Sequence, residues 1–144
     1  AVVEGPDALL ARRDGAVVAV IPRLRLKVDS GIAVAGETIH DEAAIRMATD
    51  VVTSTGLTGP LNVQFKRSAS GDWKLLEINP RLPGSSPLTI AAGVDFVNLA
   101  LDDLLGRPLD DWYEFQDVAM VRHWEDIVIP AGEFGRTART GAPT

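Results

Sequence analysis

Asp14-Gly15 divides two apolar-rich runs, residues 8–13 and 16–27, and so commits the start of the chain to an antiparallel strand pair. Such a dipeptide supplies the backbone of a two-residue turn whose twist matches that of its flanking strands. Beyond it, Leu24, Leu26 and Val28 alternate with Arg23, Arg25 and Lys27. Successive side chains on a strand point to opposite faces, so the pattern predicts three cations on one side and three aliphatics on the other. Residues 32–34 read as a further short strand before Gly36.

A second hairpin is written at residues 61–66 and 73–79, joined by the turn-rich residues 67–72. Alternation puts Leu75, Glu77 and Asn79 on one face and Lys74, Leu76 and Ile78 on the other. On the partner strand Asn62, Gln64 and Lys66 share a face, and a loop of about six residues sets Gln64 opposite Glu77. Between the hairpins, Ala44, Ile45, Ala48, Val51 and Val52 fall at helical spacing, with Asp41 as N-cap and Gly56 as the stop. A short helix follows Ser86, Gly93 breaks it, and Asp95 caps a longer helix carrying Phe96, Leu99, Ala100, Leu104 and Leu105. Residues 118–122 and 127–129 read as two last strands. The whole is an α+β fold, an antiparallel sheet with helices packed on one face. Residues 1–131 form one domain, and residues 132–144, which lack apolar periodicity, form a loose tail.

The end of the second hairpin carries the chemistry. Glu77, Asn79 and Gln64 bring three oxygen-bearing side chains toward one place, which suits a hard cation such as Mg²⁺. With a single charge among them, bound phosphates would have to supply much of the remaining negative charge. Pro80 stops the strand, and Arg81 opens a turn through Gly84, Ser85 and Ser86 into an apolar helix. That turn reads as a helix mouth, where backbone N–H groups favour an anion, and Arg81 adds a bidentate phosphate or carboxylate contact. A solvated strand end followed by an ordinary Asn-Pro turn accounts for the five residues 77–81 taken alone.

Charge and composition remove other classes. A net charge of -6 and the absence of a broad basic footprint exclude nucleic acid as a partner. No run approaches a membrane span in length, no stretch reads as a signal peptide with a basic start and apolar centre, and there is no cysteine, a composition that fits a reducing, cytoplasmic setting. The cations Arg12, Arg13, Arg23, Arg25 and Lys27 read equally as an anion site or as a solvated edge strand guarded against aggregation. His40 and His123 have no nucleophile nearby in sequence, and no Gly-x-Ser-x-Gly elbow surrounds Ser85 or Ser86. Trp73, Trp112 and Trp124 read as core or hinge anchors. The chain starts at Ala1 directly in an apolar run, as a fragment or processed chain would.

Asn62-Val63-Gln64-Phe65, then Leu75-Leu76-Glu77-Ile78-Asn79-Pro80-Arg81, then Gly84-Ser85-Ser86 and an apolar helix together resemble the C-terminal half of the ATP-grasp fold. The nearest type is the carbamoyl phosphate synthase large subunit and the amino-acid ligases related to it. The resemblance follows the order of residues 4–129 and is specific over residues 61–93. It implies that Gln64, Glu77 and Asn79 hold the Mg²⁺ ions, or Mn²⁺ in their place, that bridge ATP phosphates. Arg81 is implied as the catalytic contact to the transferred phosphoryl group or acyl phosphate. Gly84, Ser85 and Ser86 are implied near the acceptor, Arg23 and Arg25 on the strand lining the nucleotide cleft, and Glu4 on the ribose hydroxyls, where Gly5-Pro6 departs from the family's pattern.

The implied reaction makes a carboxylate into an acyl phosphate at the expense of ATP and hands it to an amine or similar acceptor. Such chemistry rests on positioning and charge neutralisation, so it asks for no Ser, Cys or His nucleophile. The family's N-terminal half, with its Gly-rich loop and phosphate lysines, has no counterpart here, and the expectation is a fragment inactive by itself. A homo-oligomeric state stays open. Two other readings compete: a non-catalytic module that uses the same sheet for an anion or a protein partner, and a metal-dependent phosphohydrolase, which would want more carboxylates.

Overall fold

Strands β1 (Glu4–Ala11) and β2 (Val17–Asp29) pair antiparallel, as the opening dipeptide predicts, but β1 ends earlier and β2 begins later than the expected runs, so the connection is longer than two residues, with Gly15 at positive φ (87°). The computed structural model describes residues 4–12, 14–126 and 128–130, with the backbone alone for residues 4–11. Ser30 and Gly31, both at positive φ (49° and 82°), then turn the chain tightly into β3 (Ile32–Thr38). Two consecutive positive-φ residues make the mirror-image turn that suits twisted strands, and glycine takes the second position without a steric cost. The sequence reading reached only residues 32–34 of this strand; Ser30-Gly31 is the turn signal it lacked.

Helix α1 (Glu42–Thr55) leads into the hairpin β4 (Gly59–Arg67) and β5 (Trp73–Asn79), followed by α2 (Ser86–Ala91), α3 (Phe96–Leu104) and β6 (Ala119–Val121). The six strands among the described residues join one sheet in the order β5-β4-β1-β2-β3-β6, every pairing antiparallel. The α+β class with an antiparallel sheet is therefore the one expected. The helices divide between two apolar clusters rather than sharing one. Ala44, Ala48 and Val52 of α1, one turn apart, pack with Val20, Leu61, Val63, Phe65 and Trp73. Ala92, Val94 and Phe96, leading into α3, pack with Val18, Ala19 and Ile21. Val20 and Ile21 are neighbours on β2 and point to opposite faces, so α1 covers one face and α3 the other. Each fully buried aliphatic or Phe contributes about 1.5–3 kcal/mol. Either cluster thus outweighs any surface ion pair of the chain, which contributes about 0–1 kcal/mol.

Register shifts decide which side chains reach which face. Between β2 and β3 they fall at Arg25/Lys27 and Lys27/Val28, so the even alternation expected of residues 23–28 is interrupted. Leu24 packs against the α1 cluster, while Leu26 and Val28 are exposed. The cations separate as well: Arg23 is buried at 1% exposure, Arg25 is half-buried and Lys27 is exposed. A uniformly solvated row of edge cations is therefore not what these residues make. Gly36 lies inside β3, where a Cβ would stand 2.8 Å from the Leu24 carbonyl oxygen. Residues 128–129 form no strand, and Ile127 and the tail at 132–144 lie outside the described residues. Trp73 is a core residue, whereas Trp112 and Trp124 are exposed. Among the described residues no helix is long and apolar enough to cross a membrane.

Asp41 ties α1 to the β4–β5 hairpin. One carboxylate oxygen accepts the Ala44 N–H (3.0 Å) as the helix N-cap. The other accepts from Arg67 Nη2 (2.7 Å) and Trp73 Nε1 (3.1 Å), and the Arg67 guanidinium lies 4.5 Å above the Trp73 ring. Partial burial pushes the Asp41 carboxyl up, but the bonds from Ala44, Trp73 and Arg67 outweigh it and hold it below the usual carboxylate value. A carboxyl depressed in the folded state stabilises above its unfolded pKa, and that stabilisation is lost as pH falls through the folded value. Asp41→Ala should lower stability by about 1–2 kcal/mol at pH 7 in urea unfolding. The gap to the wild-type protein should narrow as pH drops below about 4.

Candidate functional site

On the face of β4 and β5 opposite α1, the hairpin register sets Gln64 against Glu77 and Asn62 against Asn79. The first pairing is the one that loop length predicts. A register shift between Gln64 and Phe65 places Leu75 opposite Phe65, so one extra residue separates Leu75 from Glu77. Leu75 consequently belongs with Phe65 rather than on the Glu77 and Asn79 side, correcting the strict alternation expected of β5. The bulge lets Trp73 stay in the core while Glu77 and Asn79 still share the polar face. The hairpin loop is residues 68–72, one shorter than expected, because Arg67 remains in β4.

Asn79 Nδ2 donates to Glu77 Oε1 at 2.9 Å. That bond orients the amide so that Asn79 Oδ1 and the second Glu77 oxygen stay available, next to the amide of Gln64. Oxygen donors of this kind fit a hard divalent cation in type, with one formal charge among three side chains. Among the described residues there is no group of three His, Cys, Asp or Glu that could hold a metal by itself. Any cation here would therefore be shared with an anionic ligand.

Beside Gln64 lies a cleft of about 240 Å³. Asn62, Gln64, Arg81, Pro83, Gly84 and Ser85 line one part of it, and Arg25 with the hairpin tip Gly31, Ile32 and Ala33 lines the other. Among the described side chains two arginines and no acidic residue line it, in a chain whose net charge is -6. The volume is below the roughly 300–1,000 Å³ of a site enclosing a drug-sized ligand, so the cleft suits a phosphate group or small anion rather than a whole nucleotide. Arg25 Nη2 donates to the Gly31 carbonyl (2.8 Å), fixing the β2–β3 turn against its own strand. Arg81 Nη1 donates to the Leu82 carbonyl (3.2 Å) from the strand-ending turn, where the Arg81 N–H also bonds the Asn79 carbonyl.

Arg23 does not line this cleft. It lies beneath it, donating from Nη1 to Ser85 Oγ (2.5 Å) and from Nη2 to Asn62 Oδ1 (3.2 Å). The expected helix mouth at Gly84, Ser85 and Ser86 is also changed. The Ser86 N–H bonds the Pro83 carbonyl, residue 87 is a proline without an N–H, and the Leu88 N–H bonds the Ser85 carbonyl. The first turn of α2 thus spends its donors internally, and the Ser86 hydroxyl is likewise turned to Pro83 O (2.6 Å). Gly84 and Ser85 reach the cleft as a turn, not as an anion-binding helix end. Glu4 pairs in the backbone with Lys66, and its side chain lies outside the described residues. Asn62 and the Gly31–Ala33 tip escape the sequence reading as site residues. Asn62 shares a face with Gln64 in any strand assignment, so alternation was the signal for it.

Residues 7–127 match the family described as ATP-grasp in the biosynthetic pathway with Ter operon. The carbamoyl phosphate synthase large chain of Thermomicrobium roseum is 34% identical over 75 residues, 51% of this chain and 7% of that protein. N5-carboxyaminoimidazole synthetase from Staphylococcus aureus, complexed with ADP, matches with a TM-score of 0.66 at 13% identity, over 81% of this chain and 33% of that one. The biotin carboxylase domain dimer of Hydrogenobacter thermophilus 2-oxoglutarate carboxylase, in complex with MgADP, ADP and bicarbonate, gives 0.65 at 17% identity over 79% and 28%. The structural likenesses establish the fold. The chain spans a third or less of each of these proteins.

Asn62→Leu keeps the branching and heavy-atom count of the side chain but removes an acceptor from a buried guanidinium. It should cost about 1.5–3 kcal/mol, read by urea unfolding. Gln64→Leu, on the same face but at the cleft surface, should change stability by less than about 0.5 kcal/mol.

Proposed function

Because the chain belongs to the ATP-grasp family, we propose that it is the part of an ATP-dependent carboxylate–amine ligase that grips Mg²⁺ and phosphate. The observation that carries this reading is the register of Gln64 against Glu77, with Asn79 hydrogen-bonded to Glu77 and Arg81 two residues further along the chain. Gln64, Glu77 and Asn79 would hold Mg²⁺, which when bound neutralises phosphate charge. The H. thermophilus neighbour bound to MgADP supports that choice of ion and nucleotide. Arg81 would contact the transferred phosphoryl group, with Arg25 across the cleft adding positive potential for an anionic substrate. Gly84 and Ser85 would stand on the acceptor side.

In the proposed reaction a carboxylate oxygen attacks the γ-phosphorus, the bond from that phosphorus to the ADP oxygen breaks, and an acyl phosphate forms. An amine lone pair then attacks the acyl carbon, the carbon–nitrogen bond forms, phosphate leaves and the nitrogen gives up a proton. The residues around the cleft bind and orient through charge, the means by which phosphoryl transfer is ordinarily accelerated. A cleft sized for a phosphate or small anion supports the view that adenine and ribose contacts come from a complementary half of the domain. The 144-residue chain in isolation is accordingly proposed to turn over no ATP. The absence of cysteine supports a reducing, cytoplasmic setting.

In the full-length protein, Glu77→Ala should lower MgATP-dependent ADP formation by about 100-fold or more. Undiminished ADP formation in Glu77→Ala would reject the role of Glu77 in this function, and no MgATP-dependent ADP formation by the wild-type protein would reject the function in favour of a binding module that uses the same sheet without phosphoryl transfer.

A further inference from the structure

Arg23 has a buried guanidinium, two of whose donors end on different elements of the fold. Nη2 holds Asn62 in β4, and Nη1 holds the hydroxyl of Ser85, the residue that leads into α2. Ser85 sits at the N-cap position, yet its side chain makes no capping bond to the helix. Its hydroxyl is committed to the arginine. A second arginine acts on the same turn, since Arg122 Nη2 donates to the Gly84 carbonyl from just beyond β6. The turn that carries Arg81 to Ser85 past the cleft is thus anchored sideways to the sheet, from β2 and from the far edge strand. Few local bonds could do this, because Pro80, Pro83 and Pro87 lack backbone donors.

We infer that Arg23 is a positioning residue: it fixes the Gly84-Ser85 turn against Asn62, and so holds Arg81 and Ser85 in register with the Gln64–Glu77 pair across the cleft. Its planar fork is the reason for arginine at this place. One rigid group supplies donors in two directions, which a lysine ammonium on a flexible stem does not reproduce. At 1% exposure the side chain is shielded from bulk solvent. The catalytic consequence rests on the proposed phosphoryl-transfer function, whereas the positioning itself does not. A turn displaced by about 1 Å would lower turnover by about 100-fold when it carries groups that must meet a reacting phosphate.

The test is Arg23→Lys in the full-length protein, followed by hydrogen–deuterium exchange and by steady-state kinetics with MgATP. Exchange in peptides covering residues 82–92 should rise about tenfold or more, while peptides from α1 exchange as in wild type. In the same variant kcat should fall by about 10- to 100-fold, with KM for MgATP changed less than about threefold. Ser85→Ala, which leaves the arginine in place, should raise exchange in the same peptides, and Ser85→Thr, which keeps a hydroxyl, should restore it. Wild-type exchange at residues 82–92 in both Arg23→Lys and Ser85→Ala would overturn the inference, as would an equal rise in α1. Should Arg23→Lys fail to fold, the Ser85 pair decides alone. If the wild-type protein forms no ADP from MgATP, the function falls while the exchange data still decide the positioning role.

Discussion

The hydrogen-bond register of β4 with β5 governs both the core and the site. It pairs Val63 with Ile78 on the side packed by α1, and Gln64 with Glu77 on the side of the cleft. Because side chains alternate along a strand, a slip of one residue would send Phe65 and Leu61 to the cleft and the amides into the apolar cluster. The bulge at Gln64/Phe65 accommodates two demands that plain alternation could not. Trp73 must face the core, where Asp41 and Arg67 also hold it, and Glu77 must face away, four residues later along the same strand. Asp41 supports this register from outside the sheet by joining the start of α1 to both strands of the hairpin.

The protein is acidic overall, but the cleft is faced by Arg25 and Arg81 and underlain by Arg23. A guanidinium so placed loses its hydration and needs hydrogen bonds in its place, and Ser85 and Asn62 contribute two of them from separate elements. The same burial that makes the residue costly makes it a rigid reference point. An exposed arginine would sample many rotamers, whereas this one is confined by the sheet on which the cleft is built. Arginines beside Gln64, Glu77 and Asn79 are compatible with a cation there when anionic oxygens join both, the arrangement a phosphate would complete.

Local patterning carried much of the fold. Asp14-Gly15, the helical spacing of Ala44, Ala48 and Val52, and the caps at Asp41 and Asp95 each depend on neighbours within a few residues and could be read directly. The opposition of Gln64 and Glu77 was legible for the same reason, since a short loop ties the two strands together. Three features were not. Leu75 changed sides because a bulge responds to packing on the Trp73 side; Leu26 left its stripe because β2 and β3 shift register; and the donors at the start of α2 were taken up by Pro83 and Ser85. In each case a local rule met a competing demand from elsewhere in the structure.

The residue types in one short stretch, Glu77 to Arg81 with Gln64 across the hairpin, were enough to specify an oxygen-rich strand end with a guanidinium beside it, because strand periodicity and a short loop are local constraints. Folding alone decided that Arg23 would be buried under the cleft instead of lining it, and that the tip at Gly31, Ile32 and Ala33 would face Arg81 and Ser85. These placements join residues separated by 50 positions or so in the chain. Only the closure of the sheet and the packing of α1 and α3 on its two faces bring them together, and no spacing rule within a strand or helix reaches that far.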